Sequence, residues 1–204
     1  MAYPPRVCFD GAIYHVVARG NNRAPIFADD HDRRRYLKLL GRYKQRFRFL
    51  VHAYALMPNH VHLILEPAAG TTISQIMQCL SIAYTKFFNT RHDRVGHVFQ
   101  GRFRSRLIEH DLYLLVASRY VHLNPVRAKL VSRPGEFPWS SYCVYRKASQ
   151  DPAQLVDPTL VLSLVSQDPE RQRQEYCQFV ELPWRTEPAG KATPSELDIR
   201  YPDI

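Results

Sequence analysis

Residues 49–66 read FLVHAYALMPNHVHLILE, two apolar runs interrupted only by Pro58-Asn59. A tight connection between two such runs marks a β-hairpin, so strands are expected over Phe49–Met57 and His60–Glu66. On a strand, side chains two residues apart share a face. His60 and His62 therefore point the same way while Val61 packs the other way, and one strand brings two imidazoles to one ion at the sheet surface. In a chain with nine histidines an HxH pair is a common accident, so the surrounding sequence has to decide what the pair is for.

Upstream, Ile13–Gly20 (IYHVVARG) reads as a strand running into a Gly-Asn-Asn turn. Asp29–Asp32 supplies the cap and first-turn acids of a helix to about Phe47, with Tyr36, Leu40, Tyr43 and Phe47 as its apolar stripe. Downstream, Ile73, Ile76, Met77, Leu80, Tyr84, Phe87 and Phe88 recur at helical spacing and predict a second amphipathic helix over Ile73–Asn89. A short strand is expected at His97–Gln100, Gly101 as a break, then an extended run Arg102–Glu109. A helix follows from Asp111 to about Leu123, stopped by Asn124-Pro125. Strand–helix–strand–strand–helix–strand with one extra helix is the order of a ferredoxin-like α+β sandwich, an antiparallel sheet with helices on one face.

From Phe137 the pattern changes. PWSSY reads as a helical turn, residues 158–166 and 169–180 as two helices folding back on the body, and 182–204, with four prolines, as a flexible tail. The expected organisation is a body over 1–136, a helical extension over 137–181 and the tail.

The 204 residues fit one compact domain with a small appendage. No stretch approaches the length of an apolar membrane span, and MAYPPRVCFDG lacks the basic flank and apolar core of a signal peptide. Cys8, Cys79, Cys143 and Cys177 contain no CxxC pair, which argues against a zinc knuckle and gives no disulfide framework. A cytoplasmic location without membrane contact is the expectation. Charge is uneven: residues 1–148 carry 23 Lys/Arg against 9 Asp/Glu, and the remainder 5 against 10. A basic body with an acidic tail points to a polyanionic partner.

Tyr120 and Asn124 lie four apart near the end of a predicted helix and share a face. A phenol is a weak nucleophile at its usual pKa of about 10, so it needs an electrophile already polarised, which a metal on a phosphate oxygen provides. The Asn124 carbonyl can complete a two-imidazole, one-oxygen site with vacancies, a donor set that suits Mg²⁺ or Mn²⁺ without excluding zinc. Tyr113 competes with Tyr120 as nucleophile. Arg102, Arg104 and Arg106 alternate by two and are expected on one face as phosphate contacts, with Arg19 and Arg23 as a weaker version around Gly20-Asn21-Asn22.

Taken together, YHVVARGNNRAPIF, HAYALMPNHVHLILEP, GHVFQGRFRSRLIE, SRYVHLNPVRAKLV and FPWSSY resemble, in order and spacing, the REP-associated tyrosine transposases, single-tyrosine HUH transposases with an IS200-like domain. The resemblance runs from about Ala12 to Val180. It implies the HUH nuclease fold, His60, His62 and Asn124 as metal ligands, Tyr120 as nucleophile, and single-stranded DNA beside a hairpin as substrate. Nicking would proceed through a 5′-phosphotyrosine, and rejoining would need no external energy. Two other readings stay open, a rolling-circle replication initiator or relaxase and a catalytically idle DNA-binding protein. Tyr113 stands seven residues from Tyr120, which disfavours the paired-tyrosine initiators. Whether the protein acts as a homodimer is left undetermined.

Overall fold

The structure is a computed structural model and describes residues 9–147, 151 and 154–182 of the 204. The hairpin forms where its sequence places it. Strands β2 (Leu50–Met57) and β3 (His60–Glu66) pair antiparallel from Met57 opposite His60 to Leu50 opposite Glu66. Strand β1 (Ile13–Arg19) pairs antiparallel with β3 on one side and with β4 (Arg104–Ile108) on the other, so the sheet order is β2-β3-β1-β4. Helices α1 (Asp30–Phe47) and α2 (Ile73–Arg91) make the crossovers, and the whole is a ferredoxin-like α+β fold.

Local chemistry starts both helices. The Asp29 carboxylate accepts from the Asp32 backbone N–H at 3.1 Å, and Thr72 with Gln75 forms a reciprocal capping box. Both helices bury most of their predicted stripes, with Tyr36, Leu40, Ile76, Leu80 and Tyr84 closed to solvent and Tyr43, Phe47 and Phe87 half-buried. Inside this layer the Tyr84 hydroxyl donates to the Ile26 carbonyl at 2.6 Å.

The central strand β3 is buried on both sides. Val61, Leu63 and Leu65 face one way and His62 and Ile64 the other, and all five are inaccessible to solvent. Helix α3 (Asp111–Arg127) covers the histidine face, packing on β2, β3 and β4, which leaves α1 and α2, packed on each other, to cover the opposite face.

Two sequence expectations are corrected here. Asn124-Pro125 does not stop α3, which continues to Arg127 with Pro125 inside it. Proline gives up its own N–H and its ring crowds the carbonyl one turn back, yet the next turn still closes, Ala128 N donating to Asn124 O at 2.9 Å and Leu130 N to Pro125 O at 3.0 Å. Nor do residues 97–100 form a strand: a single bridge joins Phe99 to Gly20, because Gly96 and Gly101, both at positive φ, turn the chain at either end.

PWSSY also differs from its reading as a helical turn. It lies along the outer edge of β2, with Leu56 N donating to Trp139 O at 2.9 Å and Ser141 N to Tyr54 O at 3.0 Å. Helix α4 (Tyr142–Arg146) starts only at its last residue, and α5 (Thr159–Ser163) and α6 (Gln172–Glu181) pack behind α3. The expected tail beyond Leu182 lies outside the described residues.

A polar hub ties these elements to α3. The Tyr176 hydroxyl donates to Ser118 Oγ at 3.0 Å, so its oxygen is left to accept from His122 Nδ1–H at 2.7 Å. His122 Nε2 then accepts from Ser141 Oγ at 2.8 Å. Burial keeps this imidazole neutral, its pKa pushed down to about 3. Tyr176→Phe should strand a buried N–H and cost about 1–3 kcal/mol in urea unfolding. Tyr43→Phe, at a half-buried position without a polar partner of this kind, should stay within about 0.5 kcal/mol.

Candidate active site

The register puts His60 opposite Arg19 and His62 opposite Val17, at the end of the sheet where β1 leaves and β3 enters. His62 is enclosed on two sides. The ring of His15 stacks on it at 5.2 Å between centroids, and the ring of Tyr120 meets it edge-on at 5.6 Å. His60 stands beside it at 4.8 Å, and the Asn124 side chain reaches His60 from α3. The structure thus brings His60, His62, Tyr120 and Asn124 together, as the sequence reading anticipated. The expectation of a site at the sheet surface is corrected: His62 is wholly buried and Tyr120 only 7% exposed, because α3 lies over the histidine face with Tyr120 packed between.

Hydrogen bonding bears on which nitrogens are available. The Asn59 amide donates to the Arg23 carbonyl at 3.2 Å, which turns its Oδ1 toward His60 Nδ1 at 2.7 Å. That nitrogen must carry the proton, and His60 Nε2 keeps its lone pair. His62 Nδ1 is bonded to His15 Nε2 at 3.0 Å; with His62 as donor, its Nε2 is likewise a lone pair. Both Nε2 atoms are buried without a hydrogen-bond partner. Orphaned lone pairs in a protein interior are costly, and a divalent ion satisfies them. With the Asn124 carbonyl nearby, the donor set fits a metal.

Desolvation holds these rings neutral. It pushes His15 down to about 4, with Arg106 adding repulsion, and His60 down to about 4, with Arg19 adding repulsion. His62 falls well below its ordinary value for the same first reason, reinforced by His15, His60 and Arg127.

A second group with ligand-like spacing, Asp29, His31 and Asp32, is already committed. Arg91 clamps both carboxylates, His92 bonds Asp32, and the backbone N–H groups of Ala28 and Asp32 take further oxygens. Its role is to tie α1 to the end of α2.

Cations rim the histidine end. Arg104 and Arg106 sit opposite Val17 and His15, hence on the histidine face, both exposed. Arg19 has its pKa lowered by desolvation first, then by repulsion from Arg23 and Arg104, so these three guanidinium groups crowd one another. Arg23 and Asn22 hold positive φ in the turn after Gly20, a backbone state that costs non-glycine residues about 1–3 kcal/mol each. Gly20 makes that turn feasible, since a Cβ there would fall 2.0 Å from the Ala24 carbonyl oxygen. Arg102 lies outside β4, past the Gly101 turn, so the two-residue alternation holds for Arg104 and Arg106 alone. Tyr113 packs beneath the Arg106 guanidinium at 5.1 Å, toward β4.

Sequence reading missed His15, Asn59 and Arg127. His15 becomes a neighbour of His62 only once the β1–β3 register is known. Asn59 was read only as part of a turn. Arg127, whose guanidinium stands 4.9 Å over the Tyr120 ring, was hidden by the mistaken helix stop.

Residues 8–124 match the family described as transposase IS200-like, over more than half of the chain, and the chain belongs to that family. It is therefore a transposase-type, DNA-cleaving enzyme. Among solved structures it is similar to a REP-associated tyrosine transposase bound to a REP hairpin, with 19% identity, 78% of this chain and 94% of that chain covered, and a TM-score of 0.61. At that identity the likeness speaks for the fold. A candidate transposase from Deinococcus radiodurans R1 matches at 14% identity over 56% of this chain and 92% of that one, with a TM-score of 0.42, too distant to argue from. No curated protein matches. No helix among the described residues is long and apolar enough to cross a membrane.

The depressed imidazoles carry a signature in stability. Unfolded, they titrate near 6.5; folded, His15 and His60 titrate at about 4. Between those values the unfolded chain binds protons that the folded chain refuses, so stability should fall as pH drops from about 6.5 to about 4. Urea unfolding across pH 4.5–7.5 in chelator-containing buffer should show that fall, and His60→Gln should make it shallower.

Proposed function

We propose that this transposase nicks and rejoins single-stranded DNA beside a hairpin, with Tyr120 as the nucleophile and His60, His62 and Asn124 as ligands of one Mg²⁺ or Mn²⁺ ion. The observation that carries the reading is the pair of buried, partnerless Nε2 atoms on β3 directly beside the Tyr120 ring. Bound there, the ion would polarise a non-bridging oxygen of the scissile phosphate.

The chain's own groups do the remainder. Tyr120 Oη attacks phosphorus as the P–O3′ bond breaks, leaving a 5′-phosphotyrosine and a free 3′-hydroxyl. The phenolic proton passes to solvent, which protonates the leaving oxygen. Because the phosphotyrosine conserves the ester bond, a 3′-hydroxyl can reverse the step and join strands. His15 and Asn59 hold the two imidazoles in the tautomers that offer Nε2. Arg19, Arg23, Arg104 and Arg106 bind the DNA backbone around the site, with Arg102 in the adjoining loop. The helical layer over the histidine face favours a flexible strand, since a duplex resists bending into a site under α3. Tyr120 rather than Tyr113 is the nucleophile because Tyr120 faces the histidines and Tyr113 lies under Arg106. That favours a single-tyrosine enzyme over a paired-tyrosine initiator. The hairpin partner is taken from the similar structure bound to a REP hairpin. Residues 1–136 form the catalytic body in this reading, with 137–181 as its helical support.

Incubated with a labelled hairpin carrying a single-stranded flank, the wild type should form a protein–DNA adduct that survives denaturing electrophoresis. Tyr120→Phe should form none while binding the hairpin with near wild-type affinity, and Tyr113→Phe should still form it. An adduct on Tyr120→Phe, or equal cutting of a perfect duplex, would overturn the reading.

Metal dependence is read separately. Mn²⁺ titration followed by electron paramagnetic resonance should show one site, lost in His60→Ala and His62→Ala and weakened about 10–100-fold in His15→Phe, which removes the hydrogen-bond partner of His62 Nδ1. Unchanged Mn²⁺ binding in the double alanine variant would remove the metal role.

A further inference from the structure

Helix α3 carries one more group into the site than the proposed function uses. Because the helix runs on past Pro125, Arg127 falls three residues after Asn124 and seven after Tyr120, on the face turned to the histidines. Its guanidinium carbon lies 4.9 Å from the centre of the Tyr120 ring, and it is close enough to His62 to oppose protonation of that ring. Arg127 is exposed, and none of the ion pairs among the described residues includes it. The arginines of the rim stand on β1, β4 and the turn after β1; Arg127 alone comes from the helix that carries the tyrosine.

We propose that Arg127 is a further catalytic residue, binding a non-bridging oxygen of the phosphate under attack by Tyr120 and neutralising the charge that grows on it. The inference rests on the nuclease reading above. An unpaired guanidinium beside a site suited to a divalent cation is electrostatically unfavourable until an anion arrives between them. A phosphate reaching both the Tyr120 hydroxyl and the histidine pair is that anion. In the transition state, as the Oη–P bond forms and the P–O3′ bond breaks, negative charge gathers on the non-bridging oxygens, where a fork of N–H donors from the helix side complements the ligands on the sheet side. Lysine lacks that fork and is not equivalent.

The competing role for Arg127 is a purely positional one, a cation resting on the Tyr120 ring to hold it. Single-turnover cleavage of a hairpin with a native scissile phosphate, and of the same hairpin with a methylphosphonate at that linkage, separates the two. Arg127→Ala should slow cleavage of the native linkage about 100–1000-fold, with hairpin affinity within a few-fold of wild type and an unchanged urea midpoint. Arg127→Lys should recover only part of the rate. On the methylphosphonate, which lacks the charge to be neutralised, Arg127→Ala and wild type should cleave within a few-fold of each other. A defect of the same size on both linkages would assign Arg127 to holding the ring, and a native-linkage rate equal to wild type would remove it from the reaction; either overturns the proposal. Tyr120→Phe, run in parallel, isolates the underlying reading: cleavage by that variant would overturn the nuclease assignment, and Arg127 with it.

Discussion

A sheet whose central strand β3 is closed to water on both faces needs two covers, and the second cover here is the helix that also carries the nucleophile candidate. The position of α3 is therefore not free to drift: it must fill the space over β2, β3 and β4 before any chemistry is considered. Its rotation is pinned from two sides. Tyr120 and Asn124 meet the histidines, while His122, two residues on and so about 200° around the helix axis, is held by Tyr176 and Ser141. Turning α3 by one residue would break the polar hub and withdraw the tyrosine together. The extension after Phe137 thus fixes the helix phase that the site depends on.

Placing three imidazoles in that interface is expensive for the folded chain. His15, His62 and most of His60 are removed from water, and each gives up its proton rather than be buried charged. Stacking of His15 on His62 and the Nε2–Nδ1 bond between them recover part of that cost. Two ring nitrogens, Nε2 of His60 and of His62, remain without a hydrogen-bond partner. A fold that retained such groups for packing alone would be more stable with leucine there, which is why the cluster reads as a site.

Much of this was legible in the sequence because it rests on local rules. Alternation over HVH put both histidines on one face, and Asp29 announced the start of α1. Four-residue spacing joined Tyr120 to Asn124. What escaped notice depended on contacts distant in the chain. His15 needed the pairing of β1 with β3, and the edge position of PWSSY needed β2 as a template. The mistaken stop at Asn124-Pro125 came from weighing a proline's local preference without the tertiary packing that carries α3 past it. That error concealed Arg127. The short strand expected at residues 97–100 fails because Gly101, read as a break after a strand, and Gly96 both turn the chain at positive φ. Arg102 shares its spacing with Arg104 and Arg106, but the strand that alternates them begins only at Arg104.

The lane of chain along β2 has a consequence for how copies of this protein meet. An antiparallel sheet ends in two rows of unpaired amides and carbonyls, each an invitation to recruit a strand from another molecule. Trp139 and Ser141 take up that offer along β2 from within the same chain. The other border, β4, is only five residues long and exposes two arginines, whose like charges would be forced together if two such borders met. One border is covered by the chain's own backbone and the other is guarded by repulsion, so neither edge of the sheet readily recruits a strand from a second copy.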